Sequence, residues 1–366
     1  MSDESDAFEQ SASTQAPADP GRLRIRMRPE DFRVCEEPLY EPSDEGKHTF
    51  LLVEKTGRTT EQVARDLSRA SGVAQRDVGY AGRKDRHAIT RQWFSLEGVD
   101  PERALAFELP GALVLEARRH PHKLKTGHLR GNRFEIVLRA DAPIELAPIE
   151  GRVEELVRRG MPNRYGEQRF GRDGDNALKA RRLLAAGRPP RDRRAARFLI
   201  SALQSEVFNA VLAERLDSFD TVLLGDLARV EESGGLFWVD DLERDRARAE
   251  AFEISATGPI FGTRMRAPRD AAAALEQSIF DRFELPELAT LTLPRGIRAR
   301  GARRPLRIRP EGLVVEAIDG GRALSLRCGL PPGAYVTVLI DELVGEVVDA
   351  SRMPGPTDEE PAAGVS

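Results

Sequence analysis

One carboxylate, Asp85, stands among four cations in the string Gly82-Arg83-Lys84-Asp85-Arg86-His87-Ala88-Ile89-Thr90-Arg91-Gln92. Cations on both sides favour the ionised form of a carboxylate. They are also suited to hold a phosphodiester backbone beside it. Apolar runs at 78–81 and 93–96 flank the string, which places Asp85 on a tight connection between two strands. Composition alone would make such an aspartate a solvated surface ion pair.

The surrounding pattern supplies the elements that must position it. Residues 23–28 alternate apolar and basic side chains and read as a half-exposed strand; 49–55, 113–117 and 134–138 add further strands. Phe134, Ile136 and Leu138 share one face of the last of these, with Arg133, Glu135 and Arg139 on the other. Thr59 and Gln62 have the spacing of a capping box, Val63, Leu67 and Ala70 follow at helical spacing, and Gly72 reads as the stop. From about residue 145 helices are expected at 146–159, 175–186 and 195–216, with Asp173 or Asp175 capping the second. Strand-like segments return at 222–230, 236–239, 307–317 and 322–328. Pro331-Pro332-Gly333 breaks the chain, and a helix is expected to begin near Ala334 with Tyr335 in its first turn. Sheet, helix-rich middle, then sheet again suggests an α+β domain interrupted by an inserted one.

The Asp85 string resembles the nucleophile motif of the TruD family of tRNA pseudouridine synthases, through Gly82, Lys84, Asp85, Arg86, Ala88, Thr90 and Gln92. Four more segments resemble the same family in the same order: 29–34 (Pro-Glu-Asp-Phe-Arg-Val), 131–134 (Gly-Asn-Arg-Phe), 162–171 and 330–335. Several ordered motifs are a far stronger signal than one short string. The resemblance implies a mixed-sheet pseudouridine synthase core, split in sequence by an inserted helix-rich TRUD domain. The expected boundaries are 21–157 and 305–352 for the core and 158–304 for the insertion, between disordered tails at 1–20 and 353–366.

It also implies site residues. Asp85 is expected as the nucleophile or ribose-facing carboxylate. Arg26, where the family can show Lys, would pair with Asp85 and keep it ionised. Phe32 and Tyr335 would line the uridine pocket. Asn132 would hydrogen-bond the substrate, against a bland alternative in which it fixes a turn after Gly131. Phe134 is a secondary stacking candidate that its strand position makes more suited to the core. Segment 166–171 reads as structural or tRNA-shaping. The implied activity is conversion of uridine to pseudouridine at position 13, in the D arm. The base must leave the stack, break its C1′–N1 bond, turn, and rejoin through C5. Such an isomerisation needs no redox cofactor, and none is expected. The alternative is a non-catalytic tRNA-binding or RNA-folding protein of the same fold; the intact Asp85 motif argues against it. A two-carboxylate glycosidase is disfavoured because only one acid lies within 83–91.

Composition agrees with an RNA partner. The net charge of -4 conceals five acids and no Lys or Arg in residues 1–20 and three acids with neither in 353–366; the remaining body carries 56 basic and 52 acidic residues. Low hydrophobicity and acid enrichment mark both tails as disordered. Basic residues cluster at 117–134 (six Lys or Arg and three His, no acid), 181–197 (seven Arg, one acid) and 294–310 (seven Arg, no acid). These patches suit phosphate contacts. Arginine bias explains the abundance, since only six of the 56 are lysine, but not the scarcity of acids within the patches. His120, His122 and His128 lack the spacing of a metal site and are better placed along an RNA backbone path. Cys35 and Cys328 fit no zinc or redox spacing, which points to a reducing cytoplasm. No run of 18 apolar residues exists, so no membrane partner is expected. Nothing implies a protein partner, and a monomer is the expectation.

Overall fold

The computed structural model describes residues 22–170, 175–187, 192–285 and 299–352, with single residues at 293, 295 and 297. Both tails expected to be disordered lie outside the described residues, as does Asp173. The elements begin with β1 (Arg24–Ile25), β2 (Phe32–Pro38), β3 (His48–Thr56), α1 (Thr60–Ser71), β4 (Gly79–Tyr80), β5 (Ile89–Glu97), α2 (Pro101–Leu105), β6 (Ala112–His120), β7 (Leu129–Arg139), α3 (Ala147–Arg159) and β8 (Met161–Pro162). Then come α4 (Asn176–Ala185), α5 (Arg193–Glu214), β9 (Leu227–Val230), β10 (Leu236–Trp238), α6 (Leu242–Glu250), β11 (Ile254–Ile260), α7 (Asp270–Arg282) and β12 (Ala302–Pro305). The chain closes with β13 (Arg307–Ile308), β14 (Glu311–Ile318), β15 (Ala323–Leu330), α8 (Val336–Val344) and β16 (Val348–Asp349).

Ten strands form one mixed sheet in the order β14-β15-β7-β2-β5-β3-β6, with β4 beside β5 and β1 between β7 and β16. The pairs β2/β5 and β1/β16 are parallel. Strands from the end of the chain therefore complete a sheet begun at its start, and Cys328 of β15 stands opposite Phe134 of β7. A core of Ile25, Phe32, Ile136, Leu326, Leu339 and Ile340 welds the two ends together. Between them in sequence, β10-β9-β11-β12 form a separate antiparallel sheet accompanied by α4–α7. Among the described residues no helix is long and apolar enough to cross a membrane.

Local chemistry explains the element ends. Thr59 Oγ1 accepts from Gln62 N at 3.2 Å while Gln62 Oε1 accepts from Thr59 N at 2.8 Å, and α1 stops at Gly72 with φ 83°. Asp192 caps α5 through Arg194 N and Ala195 N. Asp175 occupies the cap position of α4 but makes no side-chain capping bond; its carboxylate takes Lys179 instead.

Several expectations shift. The strand expected over 23–28 contracts to β1 because Arg26 adopts φ 58°, a left-handed conformation that turns the chain. Asn132 lies within β7, paired with Glu36 and Leu330, so it fixes no turn. Phe134 sits mid-strand, since β7 begins at Leu129. Tyr335 precedes α8 as its N-cap in an extended conformation (φ -116°) and is not in the first turn, because the Pro331–Ala334 turn occupies the preceding residues. The strand read over 222–230 begins only at Leu227: Asp226 folds back to accept from Leu223 N at 2.7 Å. Pro310, which has no N–H, separates β13 from β14. Segments α6, β11 and α7 had no legible signal. In β11, Gly258-Pro259 imitates a break, yet a Cβ at Gly258 would stand 3.0 Å from both Leu306 and Phe208, so the glycine lets the strand pack tightly.

Candidate active site

The connection from β4 to β5 carries Asp85, as expected, and it is braced from below. Lys55 of β3 is buried and donates from Nζ to the backbone oxygens of Asp85 and Arg58, both at 2.7 Å. Burial pushes the Lys55 ammonium down to about 8, and the nearby Asp85 charge only partly offsets this. Gln92 is fully buried and donates to Gly82 O at 3.2 Å; Thr60 Oγ1 bridges Gln92 Oε1 at 2.8 Å and Lys84 N at 2.9 Å. The Lys84 ammonium is held by Glu36 at 2.6 Å, and Glu36 also accepts from Trp93 N. These bonds fix the backbone on either side of Asp85 and leave its carboxylate 34% exposed.

Arg26 meets that carboxylate at 3.0 Å. Its other terminal nitrogen meets Asp349 at 2.7 Å, and Asp349 is in turn held by Ser351 Oγ at 2.7 Å. The guanidinium lies 4.2 Å over the Phe32 ring. A non-glycine residue at positive φ is costly, on the order of 1 kcal/mol, and here it accompanies a side chain shared by two carboxylates and a ring. Phe32 packs edge-on against Phe134, with centroids 6.4 Å apart at 81°. Both rings are at once core and pocket wall.

Asp85, Arg26, Phe32, Asn132, Phe134 and Tyr335 line one open cavity of about 410 Å³, together with Lys84 and Thr337. All six site residues expected from the sequence are thus brought together, from both ends of the chain. Asn132 Oδ1 is buried there without a hydrogen-bond partner. Tyr335 meets Tyr165 edge-on at 6.0 Å, and a Cβ at Gly166 would come within 3.2 Å of its ring, so Gly166, at the start of segment 166–171, and Tyr165 before it abut the pocket. Burial raises the Tyr335 phenol above its ordinary range, against Arg169 and Arg304.

Sequence reasoning missed Lys55, Glu36 and Asp349. One signal was available for the first: Lys55 and Lys84 are two of only six lysines in an arginine-biased chain. Asp349 offered none, because its partner lies 323 residues away.

The basic patches are less free than their sequences suggested. Arg118, Arg119 and Arg133 pair with Asp44, Asp100 and Glu37, acids from other segments. In the 294–310 run, Arg303 is locked to Glu276, and Arg307 is buried among the carbonyls of Arg159, Ala249 and Ile254 with its guanidinium 3.9 Å over Phe252. Arg304 stacks on Tyr165 at 4.2 Å and bonds Asn163 O and Gly333 O. Within that run Arg303, Arg304 and Arg307 are therefore spent on internal contacts, while Arg295, Arg300 and Arg309 stay exposed.

The architecture has a counterpart of known structure. A crystal structure from Methanosarcina mazei, assigned as tRNA pseudouridine synthase D, superposes with a TM-score of 0.68 at 21% identity, over 90% of this chain and 94% of that one. The fold is that of a pseudouridine synthase. The family model for tRNA pseudouridine synthase D (TruD) matches residues 15–186 and 191–343. Proteins named tRNA pseudouridine synthase D from an Anaeromyxobacter species and from Thermus thermophilus are 43% and 40% identical, over 87% and 92% of this chain and 92% and 93% of their own. The chain belongs to the TruD family of tRNA pseudouridine synthases.

Proposed function

We propose that this protein isomerises uridine to pseudouridine in tRNA, at position 13 of the D arm, working as a cytoplasmic monomer without a cofactor. The observation that carries the reading is the convergence of Arg26, Phe32, Asn132 and Tyr335 on the exposed carboxylate of Asp85. The target uridine leaves its stack and enters the cavity. Phe32 and Tyr335 pack its base, and Phe134 backs Phe32. Asn132 supplies an unpaired amide oxygen, the acceptor that the uracil N3–H requires. Asp85 acts at the ribose as the C1′–N1 bond breaks. Arg26 balances its charge and, through Asp349, holds its own position. The freed uracil turns and C5 bonds to C1′. The proton lost from C5 is matched by the one gained at N1, so the reaction is redox-neutral. Residues 158–304 form the inserted TRUD domain, whose edge at Tyr165 and Gly166 abuts Tyr335.

Pseudouridine mapping on tRNA transcripts, incubated with purified protein and no added cofactor, tests this. Pseudouridine should appear at position 13 and be absent from a transcript carrying cytidine there. Modification elsewhere, or none, would overturn the assignment.

A further inference from the structure

Away from the Asp85 pocket, a second cavity concentrates cationic chemistry. The loop between β6 and β7 (residues 121–128) is seated hard against β4 and β5. Leu124 N donates to Ser95 Oγ at 2.9 Å, and Gly127 N donates to Ala81 O at 2.8 Å. A Cβ at Gly79 would stand 2.3 Å from Ser95 Oγ and 2.4 Å from Leu124 O, so only glycine allows this approach. Against Tyr40 the loop closes a cavity of about 550 Å³ lined by Tyr40, His120, His122, Lys123, Lys125 and His128, with no acid among its lining residues.

Part of the wall is held by mutual contacts. Tyr40 stacks on His120 at 5.0 Å and 12°, and its hydroxyl engages His128 Nδ1 at 2.7 Å. His120 is 9% exposed and its Nδ1 has no partner. Lys123 is held by Arg76 O at 3.0 Å and by Asp77 at 3.6 Å. His122 and Lys125 are exposed and have no ion-pair partner among the described residues, in contrast to Arg118, Arg119 and Arg133 of the same stretch.

We infer that this cup is a phosphate subsite that takes one phosphodiester of the RNA strand. The inference rests on the reading of tRNA as substrate. Imidazole and ammonium groups supply N–H donors; Asp77 engages Lys123, while His122 and Lys125 have no carboxylate partner among the described residues. A stacked base fits less well, because Tyr40 already has His120 on one face and His128 at its edge. The position suits a strand that also presents a uridine to Asp85: Ala81, which receives the Gly127 bond, directly precedes the Gly82-to-Gln92 string. Lysine usage is consistent with it. Two of the chain's six lysines brace the Asp85 connection and two more line this cup.

The test is a His122→Gln/Lys125→Gln double variant, both side chains being exposed and the fold undisturbed. Its tRNA affinity is measured against salt beside that of wild type and of Arg282→Gln, a surface arginine paired with Glu214. The cup predicts about tenfold weaker binding and a log affinity versus log salt slope shallower by about one for the double variant, with Arg282→Gln like wild type. An unchanged slope, or equal losses in both variants, would overturn it. A parallel titration with inorganic phosphate, followed through the His122 and His128 imidazole NMR signals, separates the sources. Tight phosphate binding with tRNA affinity unaffected by the substitutions would assign the cup to a free anion and overturn the RNA role. The outcome is independent of the catalytic reading: a wild-type protein that binds tRNA as predicted but makes no pseudouridine would refute that reading and leave the cup standing.

Discussion

Arg26 and Arg303 are both buried arginines held by carboxylates, yet their surroundings differ. The Arg26 side chain is 8% exposed while its partner Asp85 is 34% exposed; Arg303 and its partner Glu276 are 1% and 6% exposed. Arg26 touches two carboxylates and a ring at the mouth of a cavity. Arg303 makes a closed, two-pronged pair at 2.5 and 2.9 Å and spends its remaining donors on Thr257. Arg215 with Asp226, 2.8 Å apart and equally enclosed, repeats that pattern. A guanidinium whose partner stays half open can exchange water for substrate. One whose partner is sealed can only hold the fold. These buried arginines are thus of two kinds, and burial of the partner separates them.

The largest expected effect breaks the sealed pair. Arg303→Met leaves the Glu276 carboxylate buried and uncompensated, in a site where burial already raises its pKa. A loss of about 3–5 kcal/mol in unfolding free energy is expected by urea titration, with activity per folded molecule retained. Full stability with weakened tRNA binding would place Arg303 among the ligand-facing arginines and collapse the distinction.

Substitutions in the open region should show the opposite pattern. Tyr335→Ala and Phe32→Ala remove two rings that line the cavity and are proposed to pack the base, and each is expected to lower turnover by the equivalent of about 1–3 kcal/mol. Tyr335 is the cleaner probe, since Phe32 also belongs to the core. Turnover by Tyr335→Ala equal to wild type would remove that ring from the site.

The smallest effect concerns the brace under Asp85. The Lys55 ammonium titrates near 8 in the folded protein and at 10.5 ordinarily. Between those values the unfolded chain binds more protons, so stability rises with pH; this contribution is complete above 10.5 and is lost as pH falls through about 8. Wild type should therefore gain on the order of 1 kcal/mol relative to Lys55→Met across that window, read from urea midpoints. Parallel pH dependences would show that Lys55 is not buried as a charge.

These contrasts also mark what the sequence could reveal. The Asp85 connection was legible because its cations, glycine and flanking strands are close neighbours in the chain. The capping box at Thr59 and the stop at Gly72 are local for the same reason. The left-handed turn at Arg26 was not legible, because a β-strand pattern of alternating residues runs straight through it. Nor was the fate of the arginine patches. Arg118, Arg119 and Arg133 are neutralised by acids 74, 19 and 96 residues away, a relation that a count of charges within one window misses. The 254–260 strand stayed hidden because Gly258-Pro259 has the signature of a break, and only the packing of Phe208 and Leu306 shows why glycine is there.

The central claim is that Asp85, held open at the meeting point of both ends of the chain, performs the chemistry. The most direct measurement is single-turnover pseudouridine formation by Asp85→Asn on saturating tRNA, with affinity measured on the same preparation. The account predicts a fall of at least about a thousandfold in rate with affinity within a few-fold of wild type, as removal of a group acting on the reacting bond requires. Pseudouridine formation above about one per cent of the wild-type rate would contradict it.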